Sequence, residues 1–123
     1  MHDTHDVREQ TEIIRKELEV YRTYIRMKRY YENDELPKKH LIFYQRCSKS
    51  IQPFLAHCEG LLSFLHAEDR RFMMDYLKEG LSIPELQEKY HLTRSPVYQR
   101  IMTCSRKIAR RRSYAYGNYQ NHC

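Results

Sequence analysis

A chain of 123 residues with a net charge of +6 has the length of one domain, or of one domain with a helical appendage. No apolar run approaches the roughly 20 residues that a bilayer crossing needs. The opening MHDTHDVREQ is too polar and acidic for a secretion signal, so the expected compartment is the cytoplasm.

No apolar–polar alternation persists between turn signals, and the expected fold class is all-α, a helical bundle. The first helix is predicted from Thr11 to Tyr31, with Ile14, Leu18, Tyr21 and Ile25 on one stripe. The stretch ENDELP (32–37) breaks it. A second helix is predicted from Pro37 to Ser50, with Leu41, Tyr44, Cys47 and Ile51 inward. Pro53 opens a third, whose apolar residues are Phe54, Cys58, Leu61, Leu62 and Leu65. Ala67 to Glu79 reads as a fourth, with Glu68 and Asp69 at its positive end and Phe72, Met73, Tyr76 and Leu77 buried. Gly80 is a natural left-handed stop.

Two helix starts follow within twelve positions. Ser82 and Glu85 form a capping box with Pro84 in the first turn, and Thr93 with Pro96 repeats the arrangement. Only Tyr90, His91 and Leu92 lie between. The last helix is predicted from Thr93 to Arg112, and the polar, tyrosine-rich SYAYGNYQNHC (113–123) reads as a flexible tail. The chain thus divides into an N-terminal helical region (1–64) for packing or oligomerisation, a DNA-binding unit (65–112) and the tail.

Charge singles out the last helix. Residues 94–112 contain seven Lys/Arg and no acid, whereas residues 1–65 carry eleven cations against ten acids. Such a run is the footprint of a polyanion partner. At 100° per residue, Val97, Ile101, Cys104 and Ile108 fall within about 60°, a stripe expected to pack on the two preceding helices. The opposite side presents Ser95, Gln99, Thr103, Arg106 and Arg110, flanked by Arg94 and Tyr98. That pattern suits a helix-turn-helix in a major groove of double-stranded DNA. Arg94, Ser95, Tyr98 and Gln99 would supply base contacts, Arg106, Lys107 and Arg110 would hold phosphates, and Thr93 and Thr103 complete the DNA-binding set.

The stretch LHAEDRRFMMDYLKEGLSIPELQEKYHLTRSPVYQRIMTCSRKIARR, ending at Arg111, resembles region 4 of bacterial sigma-70-type factors, especially the extracytoplasmic-function subgroup. The likeness lies in the leucine before EDRR, in Glu85-Leu86, Leu92-Thr93 and Val97, and in Arg100-Ile101 followed by a basic end. It departs at Gln87, where the family has a small alanine, and at His91, where it has a turn glycine; histidine tolerates a left-handed turn better than most residues. Residues 1–64 show no match to the family's promoter-melting region. The overall layout is similar to ArpU/RinA-type regulators of phage late genes. That resemblance implies a sequence-specific transcription activator working beside host RNA polymerase holoenzyme.

Two other readings use the same motif: a DNA-packaging protein of small-terminase type, and a sigma-like module that binds RNA polymerase. One helix-turn-helix buries too little surface to select a site alone. The Ile14–Ile25 stripe is therefore a candidate for a homodimer or polymerase contact as well as for packing within its own domain. No phosphate loop, nucleophile elbow or carboxylate pair is present, and no enzymatic activity is expected. Cys47, Cys58, Cys104 and Cys123 form no Cys-x-x-Cys pair, and adjacent His57 and Cys58 offer a metal only two ligands. Free thiols without metal or cofactor are the expectation.

Overall fold

Buried side chains recurring every three or four positions define the first helix, α1 (His5–Glu32): Val7, Thr11, Ile14, Leu18, Tyr21 and Tyr24. The computed structural model describes residues 5–121, with side chains described for residues 5–113. α1 begins upstream of the predicted start because Val7 and Thr11 extend its stripe. The Thr11 hydroxyl donates to the Val7 carbonyl at 2.7 Å, so a polar residue sits inside the row without an unmet hydrogen bond. The helix ends where Asp34 turns left-handed (φ 55°) and the Glu35 and Leu36 amides donate back to the Tyr30 carbonyl.

Among the described residues, five further helices follow: α2 (Lys38–Ser48), α3 (Gln52–Leu62), α4 (Ala67–Leu77), α5 (Ile83–Tyr90) and α6 (Arg94–Asn121). The described residues contain no strand, and none of the helices is long and apolar enough to cross a membrane. In α2, Tyr44 is buried and stacks on Tyr24 at 5.7 Å between ring centroids; Leu41, Cys47 and Ile51 are half-buried. In α3 it is Leu55, with Cys58, Leu61 and Leu62, that is buried, while Phe54 packs partly exposed at the margin. The four predicted residues of α4 are all buried.

α1 organises the bundle. Its most extensive pairing is with α6, and it also touches α2, α3 and α4. A single hydrophobic cluster runs through all six helices, joining residues on both sides of position 64. Two α1 arginines close the far end of α4. Arg22 lies 4.5 Å over the Tyr76 ring and donates to the carbonyls of Tyr76 and Leu81 at 3.0 and 3.1 Å. Arg29 donates to the carbonyls of Lys78 and Glu79. Cations at a helix C-terminus meet both its unpaired carbonyls and its negative dipole end. Gly80 follows at φ +70°, and an added Cβ there would stand 3.3 Å from an Arg29 nitrogen. The link into α5 is thus fixed from α1.

The backbone of α6 continues helical beyond Arg112 to Asn121. The predicted end at Arg112 thus moves to Asn121, which takes residues 113–121 of the expected tail into the helix, while residues 122–123 and the side chains from residue 114 onward lie outside the described residues.

Candidate nucleic-acid interface

The α5–α6 unit is built by local chemistry. The Ser82 hydroxyl accepts from the Glu85 amide at 3.2 Å, and the Glu85 carboxylate accepts from the Ser82 amide at 3.0 Å. This reciprocal cap starts α5 beside Pro84. His91 ends it in the left-handed region (φ 54°, ψ 46°), and the Leu92 amide donates to the Gln87 carbonyl at 3.0 Å. After Thr93, α6 begins. Leu86 is fully buried, with Ile83, Tyr90 and Leu92 partly so. Gln87 does not enter the core. It lines an open groove of about 340 Å³ with Ile83, Pro84, Arg94 and Tyr98.

The phase of α6 agrees with the sequence. Val97, Ile101, Cys104 and Ile108 are buried. Ser105 and Ala109, which large-residue periodicity passes over, are buried as well, and the Ser105 hydroxyl is satisfied by the Ile101 carbonyl at 3.0 Å. These small side chains suit the close pairing with α1, which is a larger partner of α6 than either α4 or α5. The stripe is expected to pack on the two preceding helices; α6 does pair with both, but its larger partner is α1, far away in sequence.

On the other side, Thr93, Arg94, Ser95, Tyr98, Gln99, Thr103 and Arg110 are exposed, and Arg106 is half-buried. The Arg94 guanidinium lies 5.8 Å from the Tyr98 ring centroid. Ser95, Gln99, Thr103, Arg106 and Arg110 recur at spacings of three and four, and so form one row on an otherwise acid-free helix.

Three cations of α6 are turned inward instead. Arg100 lies 4.5 Å from the Phe72 ring and 5.4 Å from that of Tyr90, with a nitrogen 3.5 Å from the Asp69 carboxylate. Lys107 reaches the same carboxylate at 2.6 Å, and Arg111 donates to the Phe64 carbonyl at 2.6 Å. Lys107, which the sequence assigns to phosphates, therefore also ties α6 to α4. Burial raises the Asp69 pKa, but the hydrogen bond and charge of Lys107, joined by Arg100, outweigh it and hold the carboxyl below its ordinary value. Asp75 plays the same part for α5: it accepts from the Tyr90 hydroxyl and pairs with Lys89 at 2.8 Å. α4 is thus the acidic bracket for both following helices.

His57 pairs with Glu17 at 2.5 Å, and buried Cys58 faces the Glu17 carbonyl. Among the described residues no three His, Cys, Asp or Glu side chains are grouped to hold a metal. Cys47, Cys58 and Cys104 are free thiols, and burial pushes those of Cys58 and Cys104 up to about 12, which leaves them protonated and poorly nucleophilic. Cys123 lies outside the described residues. No known protein family, curated protein or solved structure matches this chain.

Proposed function

We propose that this chain is a sequence-specific DNA-binding transcription regulator and that α5, its turn and α6 act as a helix-turn-helix. One observation carries the reading: α6 is buried along one side and presents the row Ser95, Gln99, Thr103, Arg106 and Arg110 on the other, with Arg94 and Tyr98 exposed at its start. Ser, Gln and Thr can donate to and accept from base edges, and arginine binds guanine edges or phosphates, so such a helix fits a major groove. The N-terminal end, nearest the turn, reads bases, and the later arginines meet the backbone.

The resemblance to sigma region 4 and to phage late-gene regulators extends this to activation at a late-type promoter beside host RNA polymerase holoenzyme. Mapping of bound DNA across the native host genome tests the reading. Discrete sites beside promoters support it. Sites confined to a packaging region would favour a small-terminase role, and absence of discrete sites would remove sequence-specific DNA binding. Transcription with purified polymerase then separates adaptor from sigma factor: stimulation is expected only with holoenzyme, and open complexes formed with core enzyme alone would overturn the adaptor role.

A further inference from the structure

The apolar row that the sequence offers for partner contact, Ile14, Leu18, Tyr21 and Ile25, is occupied within the bundle: the first three are buried and Ile25 packs against the core. A second acid-free stretch lies elsewhere. From Leu36 to Cys58 there is no Asp or Glu, while Lys38, Lys39, Arg46 and Lys49 all fall on α2 or at its end. The near balance of charge over residues 1–65 conceals it. We propose that α2 and the end of α1 form a second nucleic-acid surface, one that takes a single strand, with a base stacked on Tyr31 and phosphates along α2.

Charge is the first support. At 100° per residue the four cations fall within about 100° of one another, on the side of α2 away from buried Tyr44. All four are exposed, and among the described residues none of them makes an ion pair or a side-chain hydrogen bond. On α6, by contrast, Arg100, Lys107 and Arg111 are engaged inside the bundle. Fold stability does not account for the α2 set. Lys38 and Lys39 stand in the first turn, the end at which a helix dipole disfavours cations, and no acid accompanies them there. A partner of opposite sign does account for it.

The second support is aromatic. Beside the basic stripe, α1 and α2 enclose an open groove of about 470 Å³ lined by Tyr31, Tyr44, Gln45, Ser48 and Lys49. Tyr44 packs on the rings of both Tyr24 and Tyr31, at 5.7 and 4.8 Å between centroids. Ser48 steadies the inner rings: its hydroxyl donates to the Tyr44 carbonyl at 2.9 Å and lies 3.2 Å from the Tyr24 hydroxyl. Tyr31, 43% exposed, is the member of this stack open to solvent. A ring backed in this way is a platform for a base. The Gln45 amide offers a donor and an acceptor to a base edge. Lys49 belongs to both groove and stripe, so a strand entering at Tyr31 continues onto the cations. No described acid lines the groove.

The two features together select the occupant. A duplex keeps the faces of its bases stacked on one another, so it would meet the cations and leave the ring unused. An unpaired base has a free face, and its strand carries a phosphate at every nucleotide. Ile42 and Phe43, 64% and 59% exposed, add apolar surface beside the cations that sugars and further bases can cover.

Binding of labelled oligothymidylate, which forms no duplex, to the full chain tests the proposal. Micromolar binding is expected, with an abasic strand of the same length bound at least about five-fold more weakly. Tyr31→Phe should bind as the native chain does, and Tyr31→Ala at least about five-fold more weakly, with duplex affinity unchanged. Because Tyr31 also packs on Tyr44, Lys49→Gln gives a second measurement at an exposed, unpaired position. It should keep the native melting temperature and lower the single-strand salt slope by about 0.7. Absence of binding, equal affinity for the abasic strand, native affinity in Tyr31→Ala or an unchanged slope in Lys49→Gln would overturn the proposal. Tighter binding to phosphatidylserine vesicles than to the strand would overturn it in favour of a lipid surface. The single-strand readout involves no duplex, so its failure leaves the helix-turn-helix reading standing.

Discussion

Gln99 and Arg110 stand on the same outward row of α6, yet different losses are expected from each. Gln99 lies near the turn, where a planar amide can pair with one base edge in a bidentate way worth roughly 1–3 kcal/mol. Gln99→Ala should therefore weaken the preferred site and flatten the preference at one base position. Arg110, three turns further along, should lower affinity for every sequence about equally when changed to alanine. Binding to a panel of singly substituted sites measures both, and exchanged outcomes would reverse the two roles. Asp69 works in stability instead. Its folded pKa lies below the ordinary 3.8, so its contribution is complete above that value and is lost as pH falls through the lowered folded one. The charge-assisted contact with Lys107 is worth roughly 1.5–3 kcal/mol. Melting temperatures taken from neutral pH downward should show Asp69→Asn already destabilised at pH 7 and less sensitive to acid than the native chain. Equal acid sensitivity in the two would exclude Asp69 as a main source; Asp75, similarly lowered, accounts for part of the remaining slope.

Among elements, the turn between α5 and α6 carries a measurable conformational cost. His91 is exposed and left-handed, a region that costs an ordinary L-residue about 1–2 kcal/mol and costs glycine almost nothing. His91→Gly should raise stability by about 0.5 kcal/mol after the greater freedom of the unfolded glycine chain is subtracted. His91→Val should lower it by at least about 1 kcal/mol. Thermal melts decide, and a neutral valine would mean that the turn is not left-handed in solution. This turn, the Ser82–Glu85 cap and the Gly80 stop were legible in the sequence because each depends on chemistry within a few residues. The inward phase of α6 was legible for the same reason. The partner of that face was not. α6 pairs most extensively with α1, nearly ninety positions earlier in the chain, and no local pattern marks small residues such as Ser105 and Ala109 as core. Likewise the sequence offers the Ile14 row to a partner as well as to the core, since which row of α1 is covered depends on where α3, α4 and α6 come to rest.

At the scale of the whole molecule, the +6 net charge overstates what DNA can meet on α6. In sequence Lys107 and Arg110 are equivalent cations, and Asp69 on α4 separates them. Lys107, Arg100 and Arg111 hold the bundle together, while Arg94, Arg106 and Arg110 belong to the outward side and its flank. Each phosphate neutralised releases counterions and contributes about −0.9 to the slope of log K against log salt. With Arg94 at the bases, phosphate contacts from Arg106 and Arg110 give about −2 per bound chain, where all seven cations would give about −6. Arg110→Ala should reduce the slope by about one. Lys107→Ala should act on stability instead: the melting temperature falls because Asp69 loses its closest partner, and the slope stays as in the native chain. Titrations of one DNA site at several salt concentrations, with each variant's melt measured beside them, separate these effects. A slope near zero for the native chain would remove nucleic acid as the main partner. A Lys107→Ala chain that melts normally and loses a unit of slope would move Lys107 from the bundle to the DNA.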